Sequence, residues 1–498
     1  MSNARKVLGN TAIQALGRLV TAGLSIVILK IISTYLGKAG YGEYTTVYEF
    51  LSFFAIIADF GIFQIAVKEI SKHPERRKEI FGNIFALRGC LAILAMLLSV
   101  VFAFVIPQYA NTPIPAGVAV AAATTFFTII FGTISSLLQV DLRMQWNVLG
   151  LVIAKITAVI WMVATIFYVL PDNPEAGFYQ LLWAGVAGGV LQVTTVLFAV
   201  RKSGCLCFRF DFKLWKKILI ETLPYGAAVL LATIYVREDI ILLSLLRNSE
   251  EVGLYGVAAR IMENLAVISI FFLNSLLPIL SRLFRDNQDK LKKLIQLSFD
   301  FLMIIGLPIA VGGITLAYPI IAFVSSPEFL SDSAIGFYGS DVALQLLLVA
   351  MLFAYLGNLF GFTLLAGGKQ VKLMYINAIA VIFNLVANIF VIPFWGFRGA
   401  SFISIVSQIF VCILGFIFLK QLIVGFRFRL GSVSKAILAA IVMGGSIHFL
   451  QPLLFQIFGG NKSLLILLPI GGIIYGGMLL LTKAITPEMW ELLRKKKA

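Results

Sequence analysis

The chain has 498 residues, of which 60% are hydrophobic and 13% charged, with a mean hydropathy of +0.97 and a formal net charge of +16. Water-soluble chains carry about twice that charged fraction, so a soluble enzyme or binding domain is excluded and an all-α, polytopic membrane protein is expected. The four cysteines, Cys90, Cys205, Cys207 and Cys412, form no disulfide framework, and Cys205-x-Cys207 lacks a second Cys or His cluster to complete a metal site.

A helix needs roughly 20 apolar residues to cross about 30 Å of hydrocarbon. In chain order fourteen such runs appear, at 11–36, 44–68, 82–107, 114–138, 146–170, 177–200, 215–246, 254–284, 295–324, 342–366, 371–393, 399–420, 434–456 and 463–484. Turn and charge signals separate them, among them Pro107, Pro171 with Pro174, and Gly367 with Gly368. The first run reads as a span and not as a cleaved signal peptide, because it is long and holds Arg18 near its middle. The loops are too short to bury a core of their own.

The basic residues predict the orientation. When alternate loops are assigned to the side of the N-terminus, thirty of the 40 Lys and Arg fall on that side, four fall opposite and six lie inside spans. Both termini, including the basic tail Arg494 to Lys497, are therefore expected in the cytoplasm, with the chain in the plasma membrane. This bias accounts for the positive charge as topology, and no nucleic-acid partner is expected.

The stretch from Pro224 to Pro278 contains two spans that carry charges, with Arg237, Glu238 and Asp239 in the first and Arg260, Glu263 and Asn264 in the second. Sliding this region by 211 positions lays Ser33, Gly42, Tyr44, Ala55, Ile57 and Phe60 on Ser244, Gly253, Tyr255, Ala266, Ile268 and Phe271. A span, a Gly-x-Tyr turn and a second span thus recur in register. Internal duplication of this kind is usual in transporters, whose substrate sites lie near the bilayer midplane.

Charged residues in hydrocarbon are costly and tend to face a bundle interior or a water-filled cavity. On the first span Asn10, Gln14, Arg18, Thr21 and Ser25 form one stripe, and on the eighth Arg260, Asn264 and Asn274 share a face with Glu263 beside them. The second span carries Ser52 and Asp59 on one face, with Glu49 nearer its outer end. Of the embedded cations, Lys30, Arg88 and Lys155 lie within snorkelling reach of a helix end. Arg237 has carboxylates beside it in sequence, and Arg18 and Arg260 stand out as candidates to bind a pyrophosphate, which guanidinium groups grip bidentately. In the eleventh and twelfth spans Asn377, Asn384, Asn388, Ser401, Ser404, Ser407 and Gln408, together with Asp239, suit either hydrogen bonding between helices or the oxygen coordination of a small cation such as Na⁺.

Ordered short motifs give the chain a family resemblance. They are Leu36-Gly37-x-x-x-Tyr41-Gly42-x-Tyr44, Leu223-Pro224, Asp239, Val252-Gly253-x-Tyr255 with Ala259-Arg260, Leu277-Pro278, Ala366-Gly367-Gly368-Lys369, and Ile392-Pro393-x-x-Gly396-x-x-Gly399-Ala400. In these the sequence resembles the Wzx-like polysaccharide flippases of the multidrug/oligosaccharidyl-lipid/polysaccharide (MOP) exporter superfamily. The resemblance implies a MOP fold with an N-lobe at 1–200, a C-lobe at 201–425 and a C-terminal helix pair with a basic tail at 426–498. It also implies alternating access and transport of a polyprenyl-pyrophosphate-linked oligosaccharide from the inner to the outer leaflet, by a monomer in contact with membrane lipids and glycan-assembly enzymes. Substrate-binding residues by this resemblance and the polar stripes are Arg18, Arg260, Gln14, Asn264, Asp59 and Arg88. The resemblance further implies an ion site at Asp239, Asn384, Asn388 and Ser404, with Na⁺ or H⁺ as coupling ion and no other cofactor, although Asn388 stands where relatives can carry a carboxylate.

Two other functions share parts of this pattern. A drug or cation antiporter of the same superfamily would have the same fold, with a cavity favouring carboxylates. A membrane-embedded glycan polymerase or ligase would need a large external loop with paired acidic residues, and the short loops and two histidines, His73 and His448, offer no nucleophile, base and oxyanion set. No enzymatic activity is expected.

Overall fold

The computed structural model describes residues 3–201, 207–423, 425–458 and 460–485, with the side chains of 3–12, 15, 18, 19, 224, 225, 228, 458, 460 and 461 outside the description. Cys205 and the basic tail Arg494 to Lys497 also lie outside the described residues. Apart from one isolated bridge between Asp332 and Phe337, the regular structure of the described residues is helical. Eleven described stretches are long and apolar enough to cross a membrane. Two of these, 53 residues each, are far longer than one crossing requires.

Each of the long stretches is broken at a glycine. Helix α1 (Asn3–Asp59) carries Gly37 at φ 68° and ψ −176°, and α12 (Gln370–Leu422) carries Gly396 at φ 55° and ψ −139°. Side chains rarely tolerate these left-handed backbone angles, so glycine lets the chain reverse without a loop. The first two predicted spans are therefore one element bent at Gly37, and the eleventh and twelfth are one element bent at Gly396. The ninth predicted span is split at Leu316, between α9 (Gln288–Thr315) and α10 (Ala317–Val324).

The chain divides into two compact units, Met1–Gly253 and Leu254–Ala498. The first contains α1, α2 (Ile62–Lys72), α3 (Arg77–Val105), α4 (Ile114–Val140), α5 (Gln145–Ala164), α6 (Pro174–Val200) and α7 (Phe212–Leu246). Two apolar clusters hold it together. One joins Ile62, Ala66 and Ile70 of α2 to Phe81 and Ile84 of α3 and Ile134 of α4. The other joins Val47 and Leu51 of α1 to Ala92 and Ala95 of α3, Val118 of α4 and Leu182 of α6. The opposite face of α3 leaves Ile93, Leu97, Val101 and Phe104 exposed, as a helix bordered by lipid does.

Ahead of α7, the chain from Cys207 to Asp211 is fastened to the start of α3. The Arg209 amide donates to the Gly82 carbonyl at 3.3 Å, the Asp211 amide donates to Asn83 Oδ1 at 2.8 Å, and Asp211 caps α7 through the Lys213 and Leu214 amides. The second unit takes most of α8 (Ser249–Asp286), then α9, α10, α11 (Ser340–Ala366), α12, α13 (Gly431–Phe458) and α14 (Gly460–Leu481). There α11 donates to α8 twice, from Tyr355 to the Leu265 carbonyl at 2.7 Å and from Asn358 to Ser269 Oγ at 2.9 Å.

Candidate functional site

The polar side chains inside the spans are the candidates, and in the first unit the fold joins them in pairs. Helix α1 ends at Asp59, where Phe60 (φ 34°) and Gly61 (φ 75°) turn the chain into α2. The turn sets the Asp59 carboxylate against α3, and Arg88 donates from Nη2 to Oδ1 at 2.5 Å. The two partners are unequally placed: the Arg88 side chain is 3% exposed and that of Asp59 is 42% exposed. Arg88 is thus sealed behind Asp59, with its Nε and Nη1 buried and without a hydrogen-bond partner. The sequence suggested that Arg88 snorkels, but the guanidinium is committed to the helix interior.

A second pair joins α1 to α7. Arg237 Nη1 lies 2.5 Å from both oxygens of Glu49, a residue 188 positions away, and the Glu49 side chain is 3% exposed. The neighbouring Glu238 and Asp239 are also buried. About 10 Å further along α1, at one helical rise per residue, Gly42 meets the turn that follows α7. A Cβ on Gly42 would overlap the Ser249 carbonyl, and one on Gly253 would overlap the Lys38 carbonyl. Gly42 and Gly253 are the residues that the 211-position repeat lays on each other, and here they face each other across one seam. Lys38 to Glu250 at 2.8 Å and Tyr109 to Ser244 at 2.6 Å flank the seam. The first unit is therefore closed at its Gly37 end by backbone packing and held together deeper in by an ion pair.

In the second unit the polar residues bond mainly to near neighbours in the chain. Arg260 Nη1 lies 3.0 Å from Glu263 Oε2, one turn away, with the Arg260 side chain 40% exposed. Asn264 folds back to donate to the Arg260 carbonyl at 2.8 Å. Within α12, Asn388 Nδ2 donates to Asn384 Oδ1 at 2.5 Å, and Asn384 Nδ2 donates across the bend to Ser407 Oγ at 3.0 Å. Ser404 donates to the Ala400 carbonyl and lies 3.5 Å from the Tyr255 hydroxyl. The donor set is oxygen throughout, which suits Na⁺. In this conformation, however, the Asn384 oxygen accepts from Asn388, so the amides hold each other. Among the described residues no group of three His, Cys, Asp or Glu is placed to hold a metal.

Of the other predicted site residues, Gln14 is half-buried on α1, and Arg18 lies in α1 with its side chain outside the described residues. The structure thus brings Asp59 to Arg88, Asn264 to Arg260 and Asn388 to Asn384, while Asp239 belongs to the first unit and Asn384, Asn388 and Ser404 to the second. Sequence reasoning did not find the partnership of Glu49 with Arg237 or the facing of Gly42 and Gly253. The repeated Gly-x-Tyr was the available signal for the second.

A family model described as "Polysaccharide biosynthesis protein" matches residues 7–284, more than half of the chain. The chain belongs to the polysaccharide biosynthesis protein family. No curated protein sequence matches this family member significantly. Among solved structures it resembles one titled lipid II flippase MurJ, inward closed conformation, at 16% identity and a TM-score of 0.73, over 96% of this chain and 98% of that one. It also resembles a multidrug resistance MATE family transporter of the MOP superfamily in an inward-facing conformation, at 15% identity and a TM-score of 0.63, over 82% and 98%. A MOP superfamily transporter from Pyrococcus furiosus, titled for the reverse polarity of its binding pocket, aligns at 14% identity and a TM-score of 0.53, over 83% and 93%. The fold of this family member is that of the MOP superfamily, and among the described residues the eleven apolar stretches give thirteen crossings once the bends at Gly37 and Gly396 are counted, with α7 as a fourteenth.

Proposed function

We propose that this protein moves a polyprenyl-pyrophosphate-linked oligosaccharide from the cytoplasmic to the outer leaflet of the plasma membrane. The observation that carries this reading is the Arg260 guanidinium, 40% exposed within an apolar span of a polysaccharide biosynthesis protein. A permanent cation inside hydrocarbon is costly unless it meets an anion or water there, and Arg260 meets Glu263 one turn away, a partner that an entering anion would compete with. Pyrophosphate is such an anion, and a guanidinium replaces part of the hydration that it loses on entering the membrane. Asp59, presented by Arg88, is an acceptor for sugar hydroxyls, and the polyprenyl tail stays in lipid. Both termini are taken as cytoplasmic on the Lys and Arg bias. The Gly42–Gly253 seam then closes the outer side, and its parting is the outward-opening step of alternating access.

The likeness to the flippase titled MurJ supports this reading, since that protein shares the fold along almost its whole length. A drug antiporter would use Asp59 as a bare carboxylate for a cation, and the Arg88 side chain directly behind it weakens that reading. The test is flipping of a fluorescent polyprenyl-pyrophosphoryl sugar in vesicles reconstituted with purified protein. Arg260→Glu, inserted and folded normally, should abolish protection-sensitive transfer between leaflets, and wild-type rates in that variant would remove Arg260 from the mechanism.

A further inference from the structure

The strap ahead of α7 has a counterpart in the second unit. A shift of 218 positions lays Phe208-Arg209-Phe210 on Phe426-Arg427-Phe428 and Asp211 on Arg429. Both straps are fastened at this last position. The Asp211 amide donates to Asn83 Oδ1 of α3 at 2.8 Å, and the Arg429 amide donates to Gln296 Oε1 of α9 at 2.8 Å. Gln296 also donates from Nε2 to the Arg429 carbonyl at 2.8 Å.

The phenyl rings of the two straps have different surroundings. In the second unit Phe426 is 5% exposed, and Phe428 lies among Phe299 of α9, Phe360 of α11 and Phe416 of α12, with ring centres 4.3, 6.0 and 5.9 Å away. In the first unit Phe208, Phe210 and Phe212 are 66%, 61% and 73% exposed. Their ring contacts among the described residues are with Phe85 of α3 and Trp215 of α7. The sequence explains part of this difference. Three residues on from Gln296, α9 supplies the ring of Phe299, whereas three on from Asn83, α3 supplies only Ala86.

The uncovered rings are interleaved with charge. From Cys207 to Lys217 there are four cations, Arg209, Lys213, Lys216 and Lys217, and one carboxylate, Asp211, which caps the Lys213 and Leu214 amides. Lys217 lies 3.8 Å from Glu221, while Lys213 and Lys216 are exposed and make no ion pair among the described residues. The strap leads directly into the seventh apolar span, on the side that the Lys and Arg bias assigns to the cytoplasm. Aromatic rings and lysines together at the end of a span suit the border between headgroups and acyl chains, where rings enter the apolar side and ammonium groups stay with phosphates.

We propose that residues 207–216 form a docking site for an anionic phospholipid of the cytoplasmic leaflet, with Phe208, Phe210 and Phe212 against its acyl chains and Lys213 and Lys216 on its phosphate. The lipid covers these rings as Phe299, Phe360 and Phe416 cover Phe428 in the second unit. Its net negative charge, which a zwitterionic lipid lacks, complements the excess of cations on the strap. The site goes beyond the flippase reading and does not depend on the cargo, because it lies at the end of α7 and not along the polar stripes of the spans.

The probe is phosphatidylglycerol, as the minor component of phosphatidylcholine vesicles that hold the full-length protein. Phe210 is replaced by the photoreactive residue benzoylphenylalanine, or Phe212 if the first variant does not fold, and the lipid adducts are identified by mass. They should be enriched in phosphatidylglycerol about fivefold over its share of the bilayer, and the enrichment should fall as salt rises. The same replacement at Phe104, on the exposed face of α3, should report the bulk share. Lys213→Gln with Lys216→Gln should bring the Phe210 adducts to the bulk share, whereas Lys213→Arg with Lys216→Arg should keep most of the enrichment. Adducts in proportion to the bulk composition when the native lysines are present, adducts to protein in place of lipid, or an enrichment that survives the Gln pair would each overturn the assignment. The readout involves no transport, so a failure of the flippase reading leaves it standing.

Discussion

The two units handle buried polarity differently. In the first, charges are joined across helices far apart in the chain, Asp59 to Arg88 and Glu49 to Arg237, and in each pair one member is almost wholly sealed. In the second, Arg260 meets Glu263 on its own helix and stays accessible, while Asn264, Asn384 and Asn388 bond within their own helices or across one bend. An ion pair between helices ties tertiary structure to charge, whereas a pair one turn apart rides with its helix. The first arrangement joins distant helices, and the second leaves the pair half-exposed on a single helix.

Stability measurements on single variants test this contrast most directly. Arg237→Ala removes the cation that pairs with the buried Glu49 carboxylate, and removing one member of a buried pair costs roughly 3–5 kcal/mol. The unfolding midpoint of this variant in detergent should fall steeply, and the exchange Glu49→Arg with Arg237→Glu should recover part of the loss. Next comes Gly42→Ala, whose added carbon meets the Ser249 carbonyl. It should part the seam without unfolding the unit, so that a cysteine placed at Glu250 reacts faster with an impermeant maleimide while flipping falls; unchanged labelling would mean that the seam yields elsewhere. Arg260→Ala should cost less than about 1 kcal/mol of stability, as half-exposed pairs do, yet impair flipping. A large loss of stability at Arg260 would erase the contrast between the units. The smallest effect is expected from the ions. With Asn384 and Asn388 bonded to each other, exchanging Na⁺ for K⁺ should leave the flipping rate unchanged, and a steep Na⁺ dependence would show that the amides open to admit an ion.

What the sequence revealed follows from what helical periodicity encodes. Apolar runs of the right length located the spans, because crossing hydrocarbon demands both length and apolarity, but not the breaks at Asp59 and Leu316. The pair Arg260 and Glu263 was legible for a similar reason, since residues three apart on one helix must be neighbours. The stripe on α1 was legible as a face, but a face does not name its partner. Arg237 was read against the carboxylates next to it in sequence, and the structure pairs it with Glu49. Lys155 was measured from the helix end, whereas the structure turns its amine sideways to Ser25 of α1. Partners across helices depend on packing that a single sequence does not state.

The attachment of residues 207–211 to α3 bears on how the molecule flexes. Because the Arg209 and Asp211 amides are anchored at Gly82 and Asn83, the first turn of α7 is carried along by α3. Residues 207–211 therefore act as a weld between α3 and α7 and not as a pivot. Any bending of α7 in transport has to arise within its own length, beyond the start clamped on α3 and on either side of Arg237, which Glu49 holds.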